Sequence, residues 1–183
     1  MITFGQEGMK EALVILNNAK EKGIIKDYAI AGGIAAIAYT ETFLTQDLDI
    51  FVAIKSGLIT GRATAPIKLF DYFASKGYDS DGHYIFVNKI PVHILFVDED
   101  IKIDAIKDAK TITFAGIKTQ ILRPEYLIAI YSMIYLEPGR EKDIDKIKHI
   151  IKQYKIDQVL LNKILEKYNL HNPLEEKCRK HLK

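Results

Sequence analysis

Two glycines between a strand and a helix, followed by two aspartates at i, i+2 spacing, constrain this chain more than any other feature. The segment runs from Ala29-Ile-Ala-Gly-Gly-Ile to Thr45-Gln-Asp-Leu-Asp-Ile-Phe-Val52. Leu48, Ile50, Phe51 and Val52 form a compact apolar stretch, so residues 47–54 read as a strand, and period-two alternation sends Asp47 and Asp49 to one face. Two such carboxylates suit one or two Mg2+ ions, each taking one or two protein carboxylates and completing its octahedron with water and phosphate oxygen. Gly32 and Gly33 lack a Cβ, so the backbone there can approach a triphosphate and aim amide groups and a helix N-terminus at it. Taken singly, Gly-Gly is more often an ordinary tight turn, and Asp-x-Asp more often a loop cap or solvated edge. The joint spacing reverses that balance.

The remaining pattern predicts an α+β chain. An opening helix over 6–22 stops at Gly23, a strand covers 26–31, and a helix runs from Gly33 to Phe43. A loop with Gly57, Gly61 and Pro66 leads to a helix over 66–76. Tyr84–Val87 and Val92–Val97 read as a hairpin around Asn88-Lys89, and Thr111–Phe114 and Ile117–Leu122 as a second strand pair around Gly116. From Pro124 onward, Ile128, Met133, Ile144, Ile147, Ile150, Leu160 and Ile164 recur at helical spacing. The expected division is a core over 1–122 and a helical region over 123–183 packed on it.

At 183 residues, with 48% hydrophobic content, ten Tyr and eight Phe, the chain can bury a sizeable core. No apolar run reaches the length of a bilayer span, and the N-terminal residues lack a basic stretch followed by an apolar one, so the expectation is a cytoplasmic protein without a membrane partner. The single Cys178 permits neither an intrachain disulfide nor a cysteine zinc cage. A net charge of +2 is too mild to announce nucleic acid. Basic residues gather in 140–155 and 177–183, where a solvated helix face is the stronger reading and contact with a phosphate backbone the weaker one.

Gly32-Gly-Ile-Ala-Ala-Ile-Ala-Tyr-Thr-Glu41, Thr45-Gln-Asp-Leu-Asp49, Arg123-Pro-Glu-Tyr-Leu-Ile128 and Gly139-Arg-Glu-Lys-Asp143 together resemble the nucleotidyltransferase fold. More narrowly they resemble its bacterial abortive-infection (AbiEii-like) toxin branch, over roughly residues 25 to 152. The resemblance implies a mixed sheet flanked by helices with a C-terminal helical extension. It implies transfer of NMP from an NTP substrate to an RNA, protein or small-molecule acceptor, with Mg2+ or Mn2+ held by Asp47 and Asp49. It implies nucleotide binding at Gly32, Gly33, Thr45, Arg140, Lys142 and Asp143, and a toxin restrained by an antitoxin partner. The chemistry of the last three fits phosphate: Arg offers a fork, Lys a point charge, and Asp can fix either. Their plainer reading is a solvated helix start.

Members of this fold place a further carboxylate on the strand after the hairpin, and the matching position here is His93. A neutral imidazole can accept a proton but brings no charge to balance Mg2+. Three alternatives stand: His93 serves as the base with Asp47 and Asp49, a carboxylate such as Glu41, Asp98 or Asp143 substitutes, or the chain is a catalytically silent nucleotide- or partner-binding module. Phe43 stands where many relatives have Arg, which removes a substrate-phosphate contact. Small-molecule nucleotidylation of the aminoglycoside-resistance kind is a third, weaker function class.

Overall fold

The computed structural model describes residues 6–40, 45, 47–54, 60–114, 116–134 and 142–171, with backbone alone at 60–65 and 142. The chain divides into two compact units, Met1–Ile34 with Leu44–Leu122, and Ala35–Phe43 with Arg123–Lys183.

The first unit is a six-stranded mixed sheet with helices. Its strands are β1 (Asp27–Ile30), β2 (Leu48–Ala53), β3 (Tyr84–Val87), β4 (Ile90–Val97), β5 (Lys110–Phe114) and β6 (Ile117–Ile121), in the order β3-β4-β2-β1-β6-β5. The pairs β1–β2, β3–β4 and β5–β6 are antiparallel, whereas β2–β4 and β1–β6 are parallel. Helices α1 (Gln6–Glu21), α3 (Thr60–Ala74) and α4 (Asp100–Lys107) belong to this unit. Helix α1 buries Ala12, Leu13, Ile15, Leu16 and Ala19, which recur at i, i+3/i+4 and so form one apolar stripe. Central strand β2 is buried at Leu48, Ile50, Phe51, Val52 and Ala53, as expected of a strand covered on both faces. Each of these large side chains contributes about 1.5–3 kcal/mol relative to exposure. Asp49 is the one interruption of that run, and a carboxylate there requires partners.

Tyr28 joins α1 to the sheet. Its hydroxyl donates to Asn17 Oδ1 at 2.7 Å and lies 3.1 Å from Thr119 Oγ1, while Asn17 Nδ2 donates to the Lys118 carbonyl at 3.0 Å. Burial is the main cause that pushes the Tyr28 phenol up to about 12, reinforced by Asp27 and opposed by the Thr119 hydrogen bond. The unfolded chain ionises this tyrosine near its ordinary value of about 10, before the folded chain does, so its contribution is complete below that pH and is lost as pH rises toward the folded value. Chemical denaturation at pH 9 and pH 11.5 is expected to show a loss of about 1.4 kcal/mol per pH unit above 10 that Tyr28→Phe diminishes.

The hairpin turn at Asn88-Lys89 has positive φ at both residues, 49° and 70°, the backbone of a two-residue turn matched to strand twist. Before β3, Asp81 Oδ1 accepts the backbone N–H of Tyr84 at 2.7 Å and of His83 at 2.9 Å, and these bonds hold its carboxyl below the usual range.

Two expectations for the first unit need correction. Helix α3 begins at Thr60 and carries Pro66 inside it, where the sequence predicts a loop up to residue 66. Proline reads as a helix start because it lacks an N–H and clashes with the preceding turn, yet the buried pair Leu69 and Phe73 continues the same helix. Helix α4 falls where the sequence predicts no element. Its buried residues Ile101, Ala105 and Ile106 are at i, i+4, i+5, a helical stripe too short to stand out between strands.

Helix α2 (Gly32–Ile37) is shorter than expected: turn residues follow at Ala38 and Tyr39, and the rest of the expected span, residues 41–43, lies outside the described residues. In the second unit, α5 (Pro124–Ile134), α6 (Lys142–Gln153) and α7 (Gln158–Lys167) pack together. Helix α5 is buried from Pro124 through Ser132; α6 buries Ile144, Ile147 and Ile150, and α7 buries Leu161, Ile164 and Leu165. Buried Glu125 accepts the Asp157 backbone N–H at 2.9 Å, and Asp157 in turn caps α7 by accepting from Leu160 at 3.0 Å. A carboxylate at the start of α5 thereby sets where α7 begins. No described helix is long and apolar enough to cross a membrane.

Candidate functional site

The sheet register builds the site. In the parallel pair β2–β4, Asp49 and His93 are direct neighbours, and in the antiparallel pair β3–β4, His93 is opposite Tyr84. Side chains opposite one another lie on one face of the sheet, so Asp49, His93 and Tyr84 form a row across three strands. His93 Nδ1 is 3.1 Å from Asp49 Oδ1, with the two side chains 28% and 20% exposed, so the pair is reachable from solvent. An ionised carboxylate can only accept, which makes Nδ1 the donor, and when the ring is neutral Nε2 then carries its lone pair. The Tyr84 ring lies over the imidazole with centroids 4.9 Å apart and planes at 35°.

Asp49 also meets the glycine turn. Its backbone carbonyl accepts from Ala31 N–H at 2.9 Å, which brings the end of β1 against β2. Gly32 follows with φ +55°, in the left-handed region that favours glycine, and a Cβ built there would run into the Asp49 carboxylate. A Cβ on Gly33 would meet Thr45 Oγ1 at 2.7 Å and Thr45 Cβ at 2.8 Å. The sequence assigns the missing Cβ atoms to close approach of a triphosphate; in the folded chain the room they leave is filled by Asp49 and Thr45. Thr45 Oγ1 donates to Asp47 Oδ1 at 2.8 Å, within a bend that precedes β2, so Asp47 stands just before the strand.

Gly32, Gly33, Thr45, Asp47, Asp49 and His93 are thus linked within the first unit. Asp143 belongs to the second unit, where it is fully buried at the start of α6 and accepts from Lys146 Nζ at 2.8 Å; that ammonium also lies 5.0 Å from the centre of the Tyr131 ring. Lys142 opens α6 as backbone, and its side chain, like Arg140, Glu41 and Phe43, lies outside the described residues. Asp98 is exposed just past the far end of β4, five positions or roughly 16 Å from His93 along the strand, too far to replace a third carboxylate beside Asp49. Tyr84 is the member that sequence reasoning missed. A two-residue turn at 88–89 dictates the pairs 87–90 through 84–93, so its position opposite His93 was legible from the hairpin.

Among the described residues, no three His, Cys, Asp or Glu side chains are grouped closely enough to hold a metal ion. What the first unit offers is two carboxylates from one short segment. That set fits Mg2+ or Mn2+, which need only one or two protein carboxylates when water and phosphate supply the rest.

Solved structures of the same fold lie at low identity. A nucleotidyltransferase-like antigenic protein from Paracoccidioides brasiliensis matches with TM-score 0.55 and 15% identity, covering 88% of this chain and 87% of that one. The solution structure of the antibiotic-resistance factor ANT(2'')-Ia matches with TM-score 0.50 and 14% identity, covering 94% and 98%. At these identities the likeness is one of fold. No curated protein matches the chain. A family model described as nucleotidyl transferase of unknown function (DUF2204) matches residues 9–183. The chain therefore belongs to that nucleotidyl transferase family.

Proposed function

We propose that the protein transfers NMP from an NTP to an acceptor hydroxyl, with Mg2+ or Mn2+ held by Asp47 and Asp49. The observation that carries this reading is the seating of the Asp49 carboxylate against Gly32 and beside His93, with Thr45 joining Gly33 to Asp47. A bound cation would neutralise charge on the triphosphate and on the pyrophosphate leaving group. The protein's own part is positioning. Asp49 fixes the tautomer of His93 so that Nε2 can take the proton of the acceptor hydroxyl, and Tyr84 limits the tilt of the imidazole. Thr45 orients Asp47 through its hydroxyl. Arg140 and Lys142 carry the charge complementary to phosphate, and Asp143, being buried and paired with Lys146, acts by fixing the start of α6. The acceptor class of RNA, protein or small molecule, a toxin role with an antitoxin partner, and a cytoplasmic setting belong to the proposal on motif and composition alone.

A second reading is favoured by one contact. His93 already engages Asp49 Oδ1, where a third carboxylate would have strengthened a cation site, and a chain of this kind can bind nucleotide without transferring it.

Calorimetry with each NTP, with and without Mg2+ or Mn2+, tests the cation site. Cation-dependent binding that disappears in the Asp47→Asn, Asp49→Asn double variant, with an unchanged thermal midpoint, is the expected result. Absence of NTP binding by the parent protein overturns the transferase reading; binding without turnover of labelled NTP supports the silent one.

A further inference from the structure

The sheet ends in β3 on one side and in β5 on the other, and the two edges differ. A strand edge presents a row of backbone N–H and C=O groups to any strand able to reach them. On β3 the preceding residues close that row: Phe86 N–H donates to the Asp79 carbonyl at 2.9 Å, Asp81 N–H donates to the Tyr84 carbonyl at 3.1 Å, and Ser80 bridges Ile85. Among the described residues, nothing closes the outer edge of β5 over Thr111–Phe114 in this way. The strand pairs with β6 in unbroken register from Lys110 to Phe114. It contains no Pro, no bulge and no charge past Lys110, the devices that usually protect an edge.

The residues of β5 are also arranged symmetrically about Ile112. Thr111 and Thr113 are exposed on one face, while Lys110, Ile112 and Phe114 are half-buried on the other, where Ile112 and Lys110 stand opposite buried Thr119 and Ile121 of β6. We propose that β5 is a self-association surface, to which a second copy of this chain adds its own β5 antiparallel across a two-fold axis at Ile112, so that one sheet runs through both copies. The axis sets Ile112 against Ile112, Thr111 of each copy against Thr113 of the other, and Lys110 of each against Phe114 of the other. These are pairs of the kinds that stabilise antiparallel strands, and no like charges face one another. A slip by one residue would set Thr against Ile and turn the apolar face of one copy to the polar face of the other, so the alternation specifies the register. The contact is isologous and closes at two copies, and the closed edge at β3 prevents growth into a longer sheet. Pairing of one short strand is small beside a permanent dimer interface, so the association is reversible.

Sedimentation velocity of the full chain from micromolar to millimolar concentration tests the proposal, with 15N amide shifts followed over the same dilution. A monomer–dimer equilibrium is expected, with shifts gathered at Thr111–Phe114 and absent from Tyr84–Val87. Thr111→Lys with Thr113→Lys, and Thr111→Glu with Thr113→Glu, alter only exposed side chains and place like charges opposite each other in the dimer. Each double variant alone should dimerise about tenfold more weakly or worse, and an equimolar mixture of the two should recover the association. Thermal midpoints measured at micromolar concentration check that both variants remain folded. A chain that stays monomeric at millimolar concentration would overturn the proposal, also where β5 then takes up an extended strand of a different protein. So would dilution shifts confined to other residues, particles growing beyond two copies, or dimers as tight in both double variants as in the parent.

Discussion

Gly32→Ala is expected to lower the unfolding free energy by about 2–4 kcal/mol and to abolish cation-dependent NTP binding in the same protein. An alanine held at φ +55° costs about 1–2 kcal/mol, and a methyl forced against a packed neighbour adds a comparable overpacking cost. The neighbour is the Asp49 carboxylate, so the strain is relieved by moving the group proposed to hold the cation. Urea denaturation and calorimetry on one preparation check both halves. Because the collision is with a side chain, Asp49→Ala in the Gly32→Ala background should cost less stability than the two changes added, by about 0.5–3 kcal/mol. Full additivity would show that the turn accommodates the added methyl without disturbing Asp49.

Asp49→Asn is expected to do the opposite: to reduce transfer by about a thousandfold or more while changing stability by no more than about 1 kcal/mol. Asn keeps the shape that fills the space beside Gly32 and can still accept from His93 Nδ1, so packing is retained. What is lost is the negative charge, and with it the cation and the bias that holds His93 as a base. Single-turnover transfer with labelled NTP, alongside a thermal midpoint, separates the two effects. A fall in midpoint matching that of Gly32→Ala would mean that Asp49 is a packing element, and transfer at the parent rate would remove it from the site. His93→Asn in the same assay should also reduce transfer, by about 10²- to 10⁴-fold, the usual range for one acid–base group.

Much of the first unit was legible because local signals are strong there. Strand β2 announces itself through Leu48, Ile50, Phe51 and Val52, and the hairpin through a turn whose two residues take positive φ. The spacing of Gly32-Gly33 to Asp47 and Asp49 pointed to one site, and the link between them follows from β1 pairing with β2. Helix boundaries were less legible: Pro66 hid the first turns of α3, and α4 offered too few apolar positions to be distinguished from a loop.

The sequence by itself determined the element types of the sheet, the apolar stripes of α1, α6 and α7, and the residues that matter at the strand–glycine–helix turn. These are set by period, φ preference and side-chain chemistry, all properties of a few neighbouring residues. Only the tertiary structure decided that the glycines make room for Asp49 and Thr45, that His93 rather than Asp98 stands beside Asp49, and that Asp143 is buried. Each of these depends on residues distant in the chain, brought together by strand register or helix packing, and a β2–β4 register changed by a single residue would have turned Asp49 and His93 to opposite faces.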